Sequence, residues 1–223
     1  MVDSQPAKKE FVPAKKDEEE TIELLQLKSK QRASPFLHKQ RTWEDEDHMA
    51  IPKDILKGIV EELGFLSPSI IQGVAIPMIT KQDENKEFIN LIAQSKNGSG
   101  KTGAFTIGTV LRVDPKVPKT QVLVVCHIRE LSQQIAEVYE KITKFTDISV
   151  CNYTATGKVN DAHIVITTLG SFKNAMMGRK QALDLSHLRC LVIDEVDFFF
   201  SGSQDNSRTL FDLNNKYLSK LPK

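Results

Sequence analysis

The stretch from Phe88 to Gly108 constrains this chain more than any other. An apolar run, "FINLIA", passes directly into "QSKNGSGKT" and then into "GAFTIG". A buried strand, a glycine-rich turn and a helix in immediate succession turn backbone N–H groups inward, and the helix N-terminus adds its positive end. That combination cradles phosphate oxygens. Gly98, Gly100, Lys101 and Thr102 close the loop. A lysine there reaches the β- and γ-phosphates, and the following hydroxyl can ligate Mg²⁺. The strict pattern has glycine at position 95, where this chain has Ser95. A Gly-Ser-Gly-Lys-Thr string, 98–102, could form an ordinary turn and helix cap, but the strand before and the helix after favour the phosphate loop.

The rest of the chain repeats the alternation. "QVLVVC" leads to "RELSQQIAEVYEKITKF", "ISVCNY" leads to a loop around Gly157, "HIVITT" precedes "SFKNAMMG", and "LRCLVID" precedes a polar helical stretch. Short, nearly continuous apolar strands separated by helices predict a mostly parallel sheet covered on both faces. Right-handed crossovers then bring the C-terminal ends of the strands to one rim, where ligands of open α/β sheets bind. Two helices are predicted ahead of the phosphate loop. The first spans about 51–64, with Ile55, Leu56, Ile59, Val60 and Leu63 on one face, Pro52 in its first turn and Gly64 at its end. The second, "SIIQGVAIPMI", is expected to be capped by Ser67 with Pro68 in the first turn.

At 223 residues the chain has room for one such α/β domain, 42–223, plus a tail, 1–41. The tail mixes lysines with "KKDEEE" and offers little apolar surface, so a solvated flexible arm is expected, with a short helix from Thr21 as the alternative. No apolar run is long enough to span a bilayer, and "MVDSQPAKKE" carries no secretory h-region. A formal net charge of +1 gives no global attraction to nucleic acid, so any such binding needs a local patch. Cys126, Cys151 and Cys190 sit in apolar runs without metal-ligand spacing and read as buried reduced thiols. His127, His163 and His187 have no acid or cysteine at ligand spacing and read as structural.

"LRCLVID" ends in Asp194-Glu195-Val196-Asp197. A carboxylate at a strand end, on the same rim as a phosphate loop, is where a Mg²⁺-holding acid is needed. Asp194 fits that role, through a water, and Glu195 is the candidate general base for an attacking water. Elsewhere four such residues would be a solvated loop.

The segments "GFLSPSIIQ", "SKNGSGKT", "HIRELSQQ", "TTLG" and "DEVD" together resemble, in order and spacing, the first RecA-like domain of DEAD-box RNA helicases. The likeness runs from about Trp43 to Lys223. It implies an ATP-binding domain of an ATP-dependent RNA helicase, with ATP and Mg²⁺ as cofactors. Lys101, Asp194 and Glu195 would be catalytic, with Thr102 and Asp194 on the metal. Ser95, Lys96, Asn97, Gly98, Ser99, Gly100, Lys101 and Thr102 would surround the phosphates. Gln72 would read the adenine edge with its paired donor and acceptor, beside Phe65. Trp43 is the candidate stacking aromatic, with packing as its alternative. On the RNA side the resemblance assigns Arg129, Glu130, Gly157, Thr168 and Gly170. "NLIAQSKNGSGKTGAF" with "VLRVDP" is closest to the branch that acts in mRNA export. That branch implies a cytoplasmic or nuclear location, nuclear-pore factors as partners and no membrane.

The nucleotide side keeps the family pattern better than the RNA side. His127 and Ile128 replace a Pro-Thr pair, Ser132 replaces an alanine, and Leu169 and Ser171 replace a proline and an arginine. The paired glycines of the intervening loop are reduced to Gly157, and Val196 stands where the family has alanine. Weakened single-stranded RNA binding follows, since phosphate contacts carry most of the affinity. The resemblance stops before the family's Ser-Ala-Thr strand and second RecA-like domain, which brings arginine fingers. Two readings stay open: a helicase domain that needs a second domain or partner to complete its site, and a non-enzymatic nucleotide-binding module derived from one. An unrelated phosphate-loop kinase or GTPase would have no use for the Gln72 segment.

Overall fold

The computed structural model describes residues 24–26, 42–44, 49–153, 162–177, 183–201 and 204–216. Four strands, β3 (Val122–Cys126), β4 (Val150–Tyr153), β5 (Ile164–Thr168) and β6 (Cys190–Ile193), form one parallel sheet in the order β4-β5-β3-β6. Their side chains alternate between two cores, as the twofold period of a strand requires. Val122, Val124, Cys126, Ile164 and Ile166 face one cluster, which holds Ile55, Ile59, Ile107, Ile135, Tyr139 and Ile142. Leu123, Val125 and Val165 face the other, which holds Leu169, Phe172, Phe199, Leu210 and Leu213. Helices α1 (Lys53–Lys57), α3 (Lys101–Val110) and α4 (Arg129–Thr143) therefore cover one face. The opposite face is covered by α5 (Leu169–Met177), α6 (Asp197–Ser201) and α7 (Gln204–Lys216). The predicted α/β layering is what the chain adopts. None of the described helices is long and apolar enough to cross a membrane.

Three local expectations change. Helix α1 passes after Lys57 into a π-helical turn, Gly58–Glu62, so the predicted single helix is two short pieces. Helix α2 (Ile70–Thr80) is capped by Ser69, not Ser67. The Gln72 N–H donates to Ser69 Oγ, and the Ser69 N–H donates to Gln72 Oε1 at 2.8 Å. This reciprocal capping box needs a glutamine three residues after the serine, which Ser69 has and Ser67 does not.

The phosphate-loop strand, β2 (Leu91–Ala93), is not laddered to the four-stranded sheet. It pairs antiparallel with β1 (Leu24–Gln26), in the stretch read as a solvated arm or helix. Two leucines suffice for a three-residue strand once an unpaired edge is available to satisfy their backbone. The rest of the 1–41 tail lies outside the described residues. Among the described residues β6 has a ladder partner on one side alone, β3.

Candidate nucleotide site and nucleic-acid cleft

The phosphate loop runs from β2 to α3, and its backbone explains which glycines it needs. Gly98 and Gly100 stand at φ +78 and +97, conformations that cost a side chain. Ser95 is not among the positive-φ residues, so the glycine of the strict pattern is not required there. Its hydroxyl instead meets Ser99 Oγ at 2.6 Å across the loop. Lys101 Nζ donates to the Ser95 and Lys96 carbonyls at 2.6 and 3.0 Å. The lysine thus closes the loop on itself, with carbonyls standing where phosphate oxygens would.

Helix α2 lies against α3, and Gln72 is the contact point. Its side chain is buried, and Nε2 donates to the Gly100 carbonyl at 3.3 Å. This closeness depends on Gly103: a Cβ there would lie 2.4 Å from Gln72 Nε2 and 3.1 Å from the Phe65 ring. Sequence reading missed Gly103, although its position two residues after Lys101, facing α2, was the available signal. Trp43 corrects an expectation. It is 4% exposed, packed with Met49 and Ile55 in the core, and its indole N–H donates to the Phe65 carbonyl at 2.7 Å. Burial and this hydrogen bond tie it to the Phe65 segment, which is the packing alternative.

Asp194 follows β6, and its N–H continues the ladder to the Val125 carbonyl at 3.1 Å. Burial raises its carboxyl pKa; the Glu195 N–H it accepts opposes this, the Glu195 charge adds to it, and Lys101 and His127 oppose it weakly. A half-buried acid whose charge is disfavoured gains by meeting a cation. Among the described residues no group of three His, Cys, Asp or Glu side chains could hold an ion unaided. Glu195 stands at φ +49, and its N–H donates to Asp194 Oδ1 at 3.1 Å.

His127 is not the isolated structural histidine that its sequence neighbours suggest. Nδ1 lies 3.3 Å from Glu195 Oε2, within ion-pair range but outside hydrogen-bond geometry. The acid is 68 positions away in sequence, and the parallel pairing of β3 with β6 brings it alongside. His163 behaves as expected, with Nδ1 2.8 Å from Ser149 Oγ and Nε2 3.2 Å from the Pro115 carbonyl. Cys126 and Cys190 are buried and Cys151 is half-buried; all three are free thiols. Burial first, then the neighbouring acids, pushes Cys126 up to about 12, which keeps it an inert thiol.

A cavity of about 360 Å³ opens beyond the ends of β3 and β5, away from the phosphate loop. Arg129, Glu130, Thr168 and Gly170, assigned to RNA, line it together with His127 and Asn206. The helices α4 and α5 start here. Ser171, where the family has arginine, is buried, and its N–H donates to Thr168 Oγ1 at 3.4 Å. The serine side chain itself adds an acceptor, taking the Thr168 Oγ1 hydroxyl at 3.1 Å. Gly157 lies outside the described residues.

A parallel sheet with helices on both faces, a lysine-bearing phosphate loop and an acid pair on the neighbouring rim define a RecA-like nucleotide-binding domain of the helicase kind. The chain belongs to the DEAD/DEAH box helicase family, whose model matches residues 69–217. It is 36% identical over 173 residues to DEAD-box ATP-dependent RNA helicase 38 of Arabidopsis thaliana, covering 72% of this chain and 34% of that protein. It is 33% identical over 182 residues to ATP-dependent RNA helicase DBP5 of Gibberella zeae, covering 79% and 35%. The structure of S. cerevisiae Dbp5 bound to RNA and ADP BeF3 superposes with a TM-score of 0.65 at 28% identity, covering 80% of this chain and 44% of that one. The chain spans about a third of the length of these curated relatives.

Proposed function

We propose that this chain is the ATP-binding half of a DEAD-box RNA helicase that couples ATP binding and hydrolysis to RNA remodelling in mRNA export. The observation that carries the reading is the joint placement of Gln72, Lys101 and Asp194. Gln72 bonds the phosphate loop at Gly100, Lys101 at the start of α3 closes that loop onto the Ser95 carbonyl, and Asp194 follows directly on β6.

Phosphate exchanges the two carbonyls on Lys101 Nζ for its own oxygens and opens the loop. Opening frees Gln72 Nε2 from the Gly100 carbonyl as a donor for the adenine edge, while Oε1, which accepts from the Ser69 N–H, keeps one lone pair as the acceptor. Thr102 and Asp194 would hold Mg²⁺, which supplies charge neutralisation on the phosphates. Glu195 accepts a proton from the attacking water as ADP leaves. The Arg129–Thr168 cavity takes RNA backbone, with a reduced share of cations. The likeness to Dbp5, solved as complexes with Gle1 and Nup159, supports nuclear-pore proteins as partners and the pore as the place of action.

The test is calorimetric titration with Mg·ATP. Lys101→Ala should weaken binding about a hundredfold, the scale of losing a buried charge-assisted contact. Glu195→Gln should leave affinity unchanged, because the base serves chemistry and not binding. Equal loss in both variants would remove Glu195 from the base role, and no loss in Lys101→Ala would end the reading.

A further inference from the structure

We propose that His127 is a positioning residue that latches Glu195 toward the Arg129–Thr168 cavity and releases it when single-stranded RNA fills that cavity. This rests on the function proposed above and adds a residue and a route of coupling. Strands β3 and β6 run parallel with Val125 opposite Ile193, so both deliver their next residues to one level of the rim. There His127 Nδ1 stands 3.3 Å from Glu195 Oε2. Nδ1 is buried and has no hydrogen-bond partner, and the Glu195 carboxylate is the polar group that faces it.

Phe198 completes the latch. Its ring stacks on the imidazole with centroids 4.4 Å apart and planes 4° from parallel. Its N–H donates to the Glu195 carbonyl at 3.0 Å, which ties the stack and the ion pair into one closed turn. Glu195 itself holds a left-handed conformation, which costs a residue with a side chain on the order of 1 kcal/mol. Contacts that hold it there are therefore needed.

The sheet order gives the direction of the latch. β3 lies to one side of β6, and the His127 contact draws the carboxylate toward β3 and the cavity. Serving as base for a water at the phosphate loop requires the carboxylate to leave that contact. His127 also lines the cavity with Arg129 and Gly170, so RNA entering there presses on the same imidazole. Linkage then requires that whatever weakens the latch tightens RNA binding.

The measurement is a double-mutant cycle on the full chain, read as the affinity for a fluorescent oligouridine at low salt. Glu195→Gln alone is ambiguous, because losing a negative charge strengthens binding of any polyanion. The cycle with His127→Gln removes that ambiguity. Glu195→Gln should tighten RNA binding two- to fivefold more when His127 is present, the range of a partly exposed ion pair. An equal gain in both backgrounds overturns the latch and leaves the RNA assignment standing. Absence of oligouridine binding by the wild type overturns both. A second readout needs no substitution at position 127. The His127 Cε1–H resonance should shift in Glu195→Gln, and RNA should move the wild-type resonance toward that shifted position. Bound RNA that leaves the resonance in place overturns the release step.

Discussion

Gly103 and Asp194 show how single atoms set the nucleotide site. A methyl group at position 103 would stand 2.4 Å from Gln72 Nε2, closer than any real contact, so the amide must give way. Gly103→Ala should therefore erase most of the preference for ATP over GTP, about tenfold, by misplacing the group that discriminates the base. Calorimetric titration with four nucleotides checks it, and retained preference would free Gln72 from that role. Asp194 is raised in the folded state, chiefly by burial. The folded chain then binds more protons than the unfolded one, so this group's share of stability falls as pH rises above the unfolded carboxylate range. Asp194→Asn should raise the thermal midpoint of the nucleotide-free chain at neutral pH and flatten that dependence, while losing Mg²⁺-dependent ATP binding. Thermal scans across pH read the first effect and titration reads the second.

Between elements, the joint of α3 and α4 depends on one buried pair. Thr109 Oγ1 and Tyr139 Oη lie 2.7 Å apart, and Thr109 also donates to the Phe105 carbonyl at 2.8 Å. The tyrosine is thus the donor between them, and burial keeps its hydroxyl protonated well above the ordinary phenol range. Tyr139→Phe leaves the threonine its carbonyl partner and should cost about 1 kcal/mol. Thr109→Val strands the tyrosine hydroxyl in the core and should cost about 1–3 kcal/mol, the larger of the two. Urea unfolding of both variants checks the order, and a reversed order would mean another group accepts from Tyr139. The joint matters for function because α3 carries Lys101 at its start and α4 carries Arg129 at its start. Rigidity here fixes the start of α3 relative to the start of α4, and so the two proposed sites relative to one another.

For the molecule as a whole, the described charges near Asp194 bear on what the chain can do alone. Those acting on Asp194 come from Glu195, Lys101 and His127, with no arginine among them. Arg112 lies over the Phe88 ring, Arg189 donates to the Arg112 carbonyl, and Arg129 lines the cavity. An arginine supplied against the transferring phosphoryl group is worth roughly 10³-fold or more in rate. The chain alone should therefore bind ATP without RNA-stimulated turnover. Steady-state phosphate release, with Glu195→Gln as the blank, should stay at that blank with and without single-stranded RNA. Release well above it would mean that a second copy or a partner completes the site. The same measurement separates the helicase reading from the non-enzymatic module once a second RecA-like domain is added, since the module would stay silent.

The two-faced parallel sheet and the family were legible in the chain because each rests on local chemistry. A glycine that must take positive φ, a lysine next to it and an apolar run of strand length declare themselves within ten residues. What needed the tertiary structure were contacts whose partners are far apart in sequence. Trp43 reads equally as a stacking or a packing aromatic until the core closes around it and Phe65 accepts its N–H. Ser67 looks like the cap until Gln72 bonds Ser69 instead. Leu24–Gln26 pairs with β2 because a free strand edge is available, which no local pattern announces. His127 reaches Glu195 through the register of two parallel strands, and that register is set by which side chains fill the two cores on either side of the sheet.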